Sequence, residues 1–258
     1  MPESIFRFKS ALIFIGFISI VGCQPFDVQL LTSLDSRLDA ADIGSTPSET
    51  DLDGIPPGEP LPEPPHSEPA TTPGDANFIW PRFDWNNQNE DFLDWNFYAY
   101  EAIRDLGAPL TSKNPNDILE FCPSYNSLDD SGRKMFWISL IAAMARFESG
   151  FNPETRYTEA FRDALGQFII SRGLLQLSIE SARGYGCELR AAEDLHDPQI
   201  NLECTVRILT RWVDRDGVIT GKVGVSWRGG ARYWSVLRKA STLSSIRSKT
   251  SKSNLCKK

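Results

Sequence analysis

The stretch IAAMARFESGFNP, residues 141–153, places a carboxylate directly after a nearly continuous apolar run. A carboxylate at a helix C-terminus meets the negative end of the helix dipole. Burying it as an anion costs far more. Both effects favour the protonated form, and a carboxyl that stays protonated near neutral pH can deliver a proton to a leaving oxygen. Glu148 is therefore the first candidate for chemistry, against the plainer alternative of a solvated glutamate at a helix end. Glu159, Asp163, Asp194 and Asp197 are available as a second carboxylate, but no motif marks any of them, and Asp197 reads as a helix cap. Two histidines, His66 and His196, and five cysteines offer no zinc-ligand spacing, so neither a metal nor a cofactor is expected.

Helices must position these residues. DDSGRKMFWISLIAAMARFES supplies capping groups at Asp129–Ser131 and then runs apolar on nearly all sides from Met135 to Phe147, the pattern of a helix buried at a domain centre. Gly150 and Pro153 stop it. Upstream, Phe92, Trp95, Ala99, Ala102 and Leu106 recur at spacings of three and four, with a cap near Asn89 and a stop at Gly107. Trp80 and Trp85 are candidates for sugar stacking, although aromatics in such a segment are more often core. GLLQLSIESARGYGC reads as a glycine-led turn into a helix. DPQINLECTVRILTRWVDRDG begins with Asp197 as cap and Pro198 at the first helical position, and its helix should end before Gly217. RYWSVLRKASTL reads as a last helix. No convincing period-two run is present, so the fold expected is mainly α, built around a buried central helix.

ESGFNP (148–153), GLLQLS (173–178), DPQIN (197–201) and SWRGGARYW (226–234) follow one another in an order that resembles the lytic transglycosylase catalytic domain and its relatives, the goose-type lysozymes. The resemblance covers residues 135–237 and implies a lysozyme-like fold acting on bacterial peptidoglycan. Glu148, Ser149, Phe151, Asn152 and Pro153 match the first motif. Gly173, Leu174, Leu175 and Gln176 match the second, with Leu175 in a methionine slot. The resemblance implies Glu148 as acid and then base, cutting the β-1,4 bond between N-acetylmuramic acid and N-acetylglucosamine. The 6-hydroxyl attacks its own anomeric carbon, giving a 1,6-anhydro product. Desolvation beside Met144, Phe151 and Leu175 suits that role. Ser149, Gly173, Leu175, Gln176, Trp227 and Tyr233 are the expected substrate contacts, with a structural amide satisfying its own turn as the lesser alternative for Gln176, and packing as the alternative for Trp227 and Tyr233. Ser226, Trp227 and Arg228 stand where the family has Ala-Tyr-Asn, so this motif is altered. The insertion ETRYTEAFRDALGQFIISR is either a cleft wall or a surface hairpin. A hydrolytic muramidase and a non-catalytic wall-binding module are the alternatives.

The N-terminus reads as export machinery. Arg7 and Lys9 precede an apolar run over 11–22 that ends in IVGC, which resembles a lipoprotein signal with Cys23 as the lipidated residue. Gln24 after it favours the outer membrane, facing the periplasm. Setting Cys23 aside leaves four cysteines for two disulfides in an oxidising compartment. Three connectivities are open. The short separation of Cys187 and Cys204 favours that pair, leaving Cys122 with Cys256. Residues 24–75 carry eleven acidic residues and one basic, and 54–74 hold eight prolines, the composition of a disordered, self-repelling tether. The domains expected are thus 1–22 signal, 23–75 tether and 76–258 catalytic domain. Residues 76–258 carry 22 acidic and 24 basic residues, so the overall charge of −7 belongs to the tether. Peptidoglycan and a membrane are the expected partners, envelope-complex partners are open, and nothing points to nucleic acid.

Overall fold

The structure is a computed structural model that describes residues 78–86 and 91–257, together with Pro73. Cys23, Asn89, the expected signal and most of the expected tether lie outside the described residues.

The longest apolar run in the described sequence forms the centre of the domain. Helix α4, Asp130–Glu148, buries every residue from Met135 to Ala145. A 19-residue helix that is apolar on all sides must be enclosed by other elements. Its start is fixed by Asp129, whose carboxylate accepts from the Gly132 N–H at 2.7 Å. Around it stand α1 (Phe92–Leu106), α2 (Ala108–Ser112), α3 (Ile118–Phe121), α5 (Ile179–Gly184), α6 (Pro198–Asp216) and α7 (Ala240–Ser251). Helix α1 begins after Asp91 and ends at Gly107, and it packs along α6. Helix α6 is amphipathic, with Leu202, Val206, Leu209 and Val213 turned inward. Asp197 caps it by accepting from the N–H groups of Gln199 and Ile200, Pro198 opens it, and Gly217 closes it with a left-handed φ of 67°. The fold is mainly helical.

Two disulfides tie the shell. Cys122–Cys256 joins the end of α3 to the C-terminal turn, and Cys187–Cys204 joins the loop after α5 to α6. These are the pairings favoured above. Chain-entropy reasoning assigns about 3 kcal/mol to a loop of 17 residues and about 5 kcal/mol to one of 134. Upstream, Trp85 is fully buried, donates to Asn96 Oδ1 at 2.7 Å and meets Trp95 edge to face, so it belongs to the core. Trp80 packs edge to face on Phe78 and Tyr100.

The structure departs from the sequence reading in two places. It contains two antiparallel hairpins, β1 (Arg156–Arg162) with β2 (Phe168–Arg172), and β3 (Thr220–Val223) with β4 (Ser226–Gly229). The insertion between the first two motifs is the first of these. Six of the seven positions of β1 are exposed, so no buried face imposes an alternating pattern on its sequence. The expected last helix is also broken. Short 3-10 turns at Gly230–Arg232 and Ser235–Leu237 precede α7, because Trp234 and Lys239 are extended between them. Arg238 fastens the first turn by donating to the carbonyls of Ala231, Arg232 and Tyr233.

Candidate active site

Glu148 is the last residue of α4. Its Oε1 is sealed from solvent and has no hydrogen-bond partner. A buried acceptor without a partner is rare and costs about 1–3 kcal/mol. Burial raises the Glu148 carboxyl to about 8. The charge of Glu159 pushes the same way, against a smaller opposing pull from Arg238. Glu148 therefore holds its proton at neutral pH, as the apolar run before it led us to expect.

The chain turns sharply after it. Ser149 caps α4 and its hydroxyl donates to the Ala145 carbonyl at 3.3 Å. Gly150 and Phe151 both take positive φ, 62° and 68°. For a bulky residue such as Phe151 that conformation is strained, and such strain gathers at functional sites. Phe151 is held there by burial and by the Arg146 guanidinium over its ring. Thr155 Oγ1 donates back to the Ser149 carbonyl, and the Thr155 carbonyl accepts from Gln176.

The Gly173–Gln176 turn is built against α6. A Cβ on Gly173 would lie 2.0 Å from the Leu195 carbonyl oxygen and 2.3 Å from Asn201 Nδ2, and its φ is 75°. Only glycine fits there. The buried Asn201 side chain accepts from the Leu175 N–H at 3.0 Å and donates to the carbonyls of Leu195 and Arg172 at 2.8 and 3.2 Å. The asparagine of the DPQIN segment thus holds the second motif in place. Leu175 is fully buried, and its carbonyl accepts from Trp234 Nε1 at 3.0 Å. Gln176 sits at φ 50° and donates to the carbonyls of Thr155 and Gly173, while its Oε1 is buried with no partner. Its amide does satisfy its own turn, yet it keeps one acceptor in reserve.

Tyr233 closes another side. Its hydroxyl accepts from the Ser178 N–H at 3.4 Å, and its ring packs on Tyr185 and Trp234. Burial pushes the phenol up to about 12, and Glu148 adds to that rise, so Tyr233 is neutral and close to the acid. Trp227 lies on β4, half-buried, with Lys222 on its ring at 5.0 Å and Arg238 at 5.9 Å. Ser226 and Arg228 share that strand, and Arg228 pairs with Asp216 at 3.2 Å.

Two residues near Glu148 carried no signal that singled them out. Glu159 stands on β1, with its Oε1 accepting from Ser171 Oγ at 2.7 Å, near enough for its charge to bear on Glu148. Arg238 reaches the site from the last 3-10 turn. A strand-period reading of the insertion would have placed Glu159 and Tyr157 on one face. Among the described residues, no cluster of three histidines, cysteines or carboxylates is placed to hold a metal ion. No helix there is long and apolar enough to cross a membrane.

Comparison with known proteins agrees with this arrangement. The family model "Transglycosylase SLT domain" matches residues 127–232. A solved structure titled Bd0314 DslA, wild-type form 2, is 46% identical with a TM-score of 0.64, covering 67% of this chain and 96% of that one. Two further structures are glutamate-to-glutamine mutants of the same protein. One is 46% identical with TM-score 0.64 and the same coverage. The other is 45% identical with TM-score 0.65, covering 69% of this chain and 98% of that one. A search of curated proteins returns no match. The motifs that meet at Glu148 all lie within or beside the matched segment, and the chain belongs to the transglycosylase SLT domain family.

Proposed function

We propose that this chain is a peptidoglycan lytic transglycosylase in which Glu148 is both acid and base. The observation that carries the reading is a carboxyl with one buried, unpartnered oxygen, raised to about 8, at the end of the first family motif's helix. Glu148 gives its proton to the glycosidic oxygen as the bond to the N-acetylmuramoyl anomeric carbon breaks. The resulting Glu148 carboxylate then takes the proton of the 6-hydroxyl as that oxygen bonds to the anomeric carbon. The glutamate ends as it began, a 1,6-anhydro end is left, and no water is consumed. Arg238 favours the anion that exists between the two steps. The free Gln176 Oε1 suits an N–H donor, which each N-acetyl group of the glycan provides.

A second reading has its own support. Glu159 is a second carboxylate close to Glu148. The glutamates replaced in the two DslA mutants are eleven residues apart in that chain's own count, the same separation as Glu148 and Glu159. With Glu159 as base for water, or as a stabilising anion, the site would hydrolyse the same bond as a muramidase. Digesting purified peptidoglycan in heavy-oxygen water separates the two. Anhydro ends without label support the transglycosylase, and label at new reducing ends supports the hydrolase.

We further propose that Cys23 carries a lipid and holds the domain at the outer membrane through an acidic, proline-rich tether. The sequence around Cys23 and the composition of residues 24–75 support this. Metabolic labelling with a fatty acid should mark the wild type and leave Cys23→Ala unmarked. Equal labelling of both would refute the anchor.

A further inference from the structure

The face of β1 that carries Glu159 also carries an aromatic ring that is mostly exposed. Tyr157 pairs across the hairpin with Ser171. Ser171 in turn donates to Glu159, and Glu159 bears on Glu148. Cross-strand partners share a face, and the hydrogen bond from Ser171 puts Glu159 on that face too, past the last regular pair of Thr158 with Ile170. Tyr157, Ser171 and Glu159 therefore lie on the side of the hairpin that turns toward the catalytic carboxyl. Tyr157 is 61% exposed, and its side chain makes no hydrogen bond, ring contact or cation contact among the described residues. Of the hairpin's other aromatics, Phe161 is also exposed but less so than Tyr157, and Phe168 has the Arg162 guanidinium 3.6 Å from its ring centre. The register shift lies between Thr158 and Arg162 and so takes in Glu159 itself.

We propose that Tyr157 is a stacking platform for a sugar ring of the glycan strand next to the scissile bond, so that the β1–β2 hairpin is a substrate-binding wall. This rests on the glycan-strand reading above. A pyranose offers one face of C–H groups that an aromatic ring covers well, and its hydroxyls stay free for water or polar partners. A ring that is bare in the free protein and lies on the acid's side of the hairpin gains most of its burial when a strand binds. The occupant follows from continuity: a polymer threaded past Glu148 and Glu159 must continue along the face that holds Tyr157.

The test uses the full-length protein with soluble, peptide-free glycan chains. Tyr157→Ala should raise KM about threefold to tenfold, the factor equivalent to one aromatic contact, and leave kcat within about twofold. Tyr157→Phe should restore the wild-type KM, because stacking needs the ring and not the hydroxyl. Leu165→Ala, at the hairpin tip, should change neither constant. In a Glu148→Gln background, Tyr157→Ala should weaken glycan binding by the same factor. An unchanged KM in Tyr157→Ala, or a Tyr157→Phe variant as weak as Tyr157→Ala, overturns the platform. If the wild type cleaves nothing while Tyr157→Ala still weakens glycan binding, the platform stands and the cleavage reading alone fails.

Discussion

Glu148 and Asp216 are both carboxylates sequestered at the end of a long helix, and the fold treats them in opposite ways. The Asp216 side chain is 2% exposed and has partners on both oxygens: Arg232, Arg228 and the Gly229 N–H. Burial pushes that carboxyl up, but these hydrogen bonds and charges outweigh it and hold Asp216 below the usual carboxylate range. Glu148 has an orphaned oxygen, a like charge nearby and a raised pKa. Asp216 is the joint that fastens β4 and the following turn to the end of α6. Glu148 is left with an unsatisfied oxygen at the end of α4. Within one molecule, one carboxylate is made anionic by its partners, and another is kept neutral by burial and a neighbouring like charge.

The contrast is open to direct attack. Glu148→Gln should lower kcat by about 10²- to 10⁴-fold, the usual worth of a general acid, in a muropeptide-release assay. Equal release by both proteins would overturn Glu148 as the acid, and no release by either would favour a non-catalytic wall-binding module. Asp216→Asn should destabilise the domain by about 3 kcal/mol in denaturant unfolding, since it leaves two arginines beside a neutral amide. The stability effect of Glu148→Gln should have the opposite sign. The folded-state pKa of Glu148 lies above its unfolded value, so the folded protein binds more protons and loses stability as pH rises from about 4.5 to about 8. Removing the carboxyl should therefore stabilise the domain by on the order of 2 kcal/mol at pH 8.5, allowing for partial solvent screening, and by almost nothing at pH 4. Unfolding curves at both values check it. The smallest effect belongs to Glu159→Gln. Removing that like charge should lower the Glu148 pKa, moving the alkaline limb of the activity profile down by under about one pH unit. Activity retained with this shift fits a transglycosylase, and activity abolished at every pH fits a hydrolase.

What was legible in the sequence followed from strong local chemistry. Helices α4 and α6 could be placed because caps at Asp129 and Asp197 precede unmistakable apolar patterns. The motifs at Glu148 and Gly173–Gln176 could be read because each residue type answers a local demand, such as the glycine pressed on Asn201. The hairpins were hidden because exposed strands carry no periodic signal. The last helix was misread because the extended residues Trp234 and Lys239 carry no breaker of the Gly or Pro type. Glu159 had no motif, and its relevance comes only from a strand folded back toward α4. The aromatic whose environment feels Glu148 is Tyr233, several residues past the altered Ser226–Arg228 segment, which instead forms a β-strand beside it.

The central claim is that Glu148 is protonated at neutral pH. Carbon NMR of the full protein with labelled glutamate measures this directly, with the Glu148→Gln variant assigning the resonance. A carboxyl titrating near 8 is the expected result. A midpoint near 4.5, the value of an ordinary glutamate, would contradict the account.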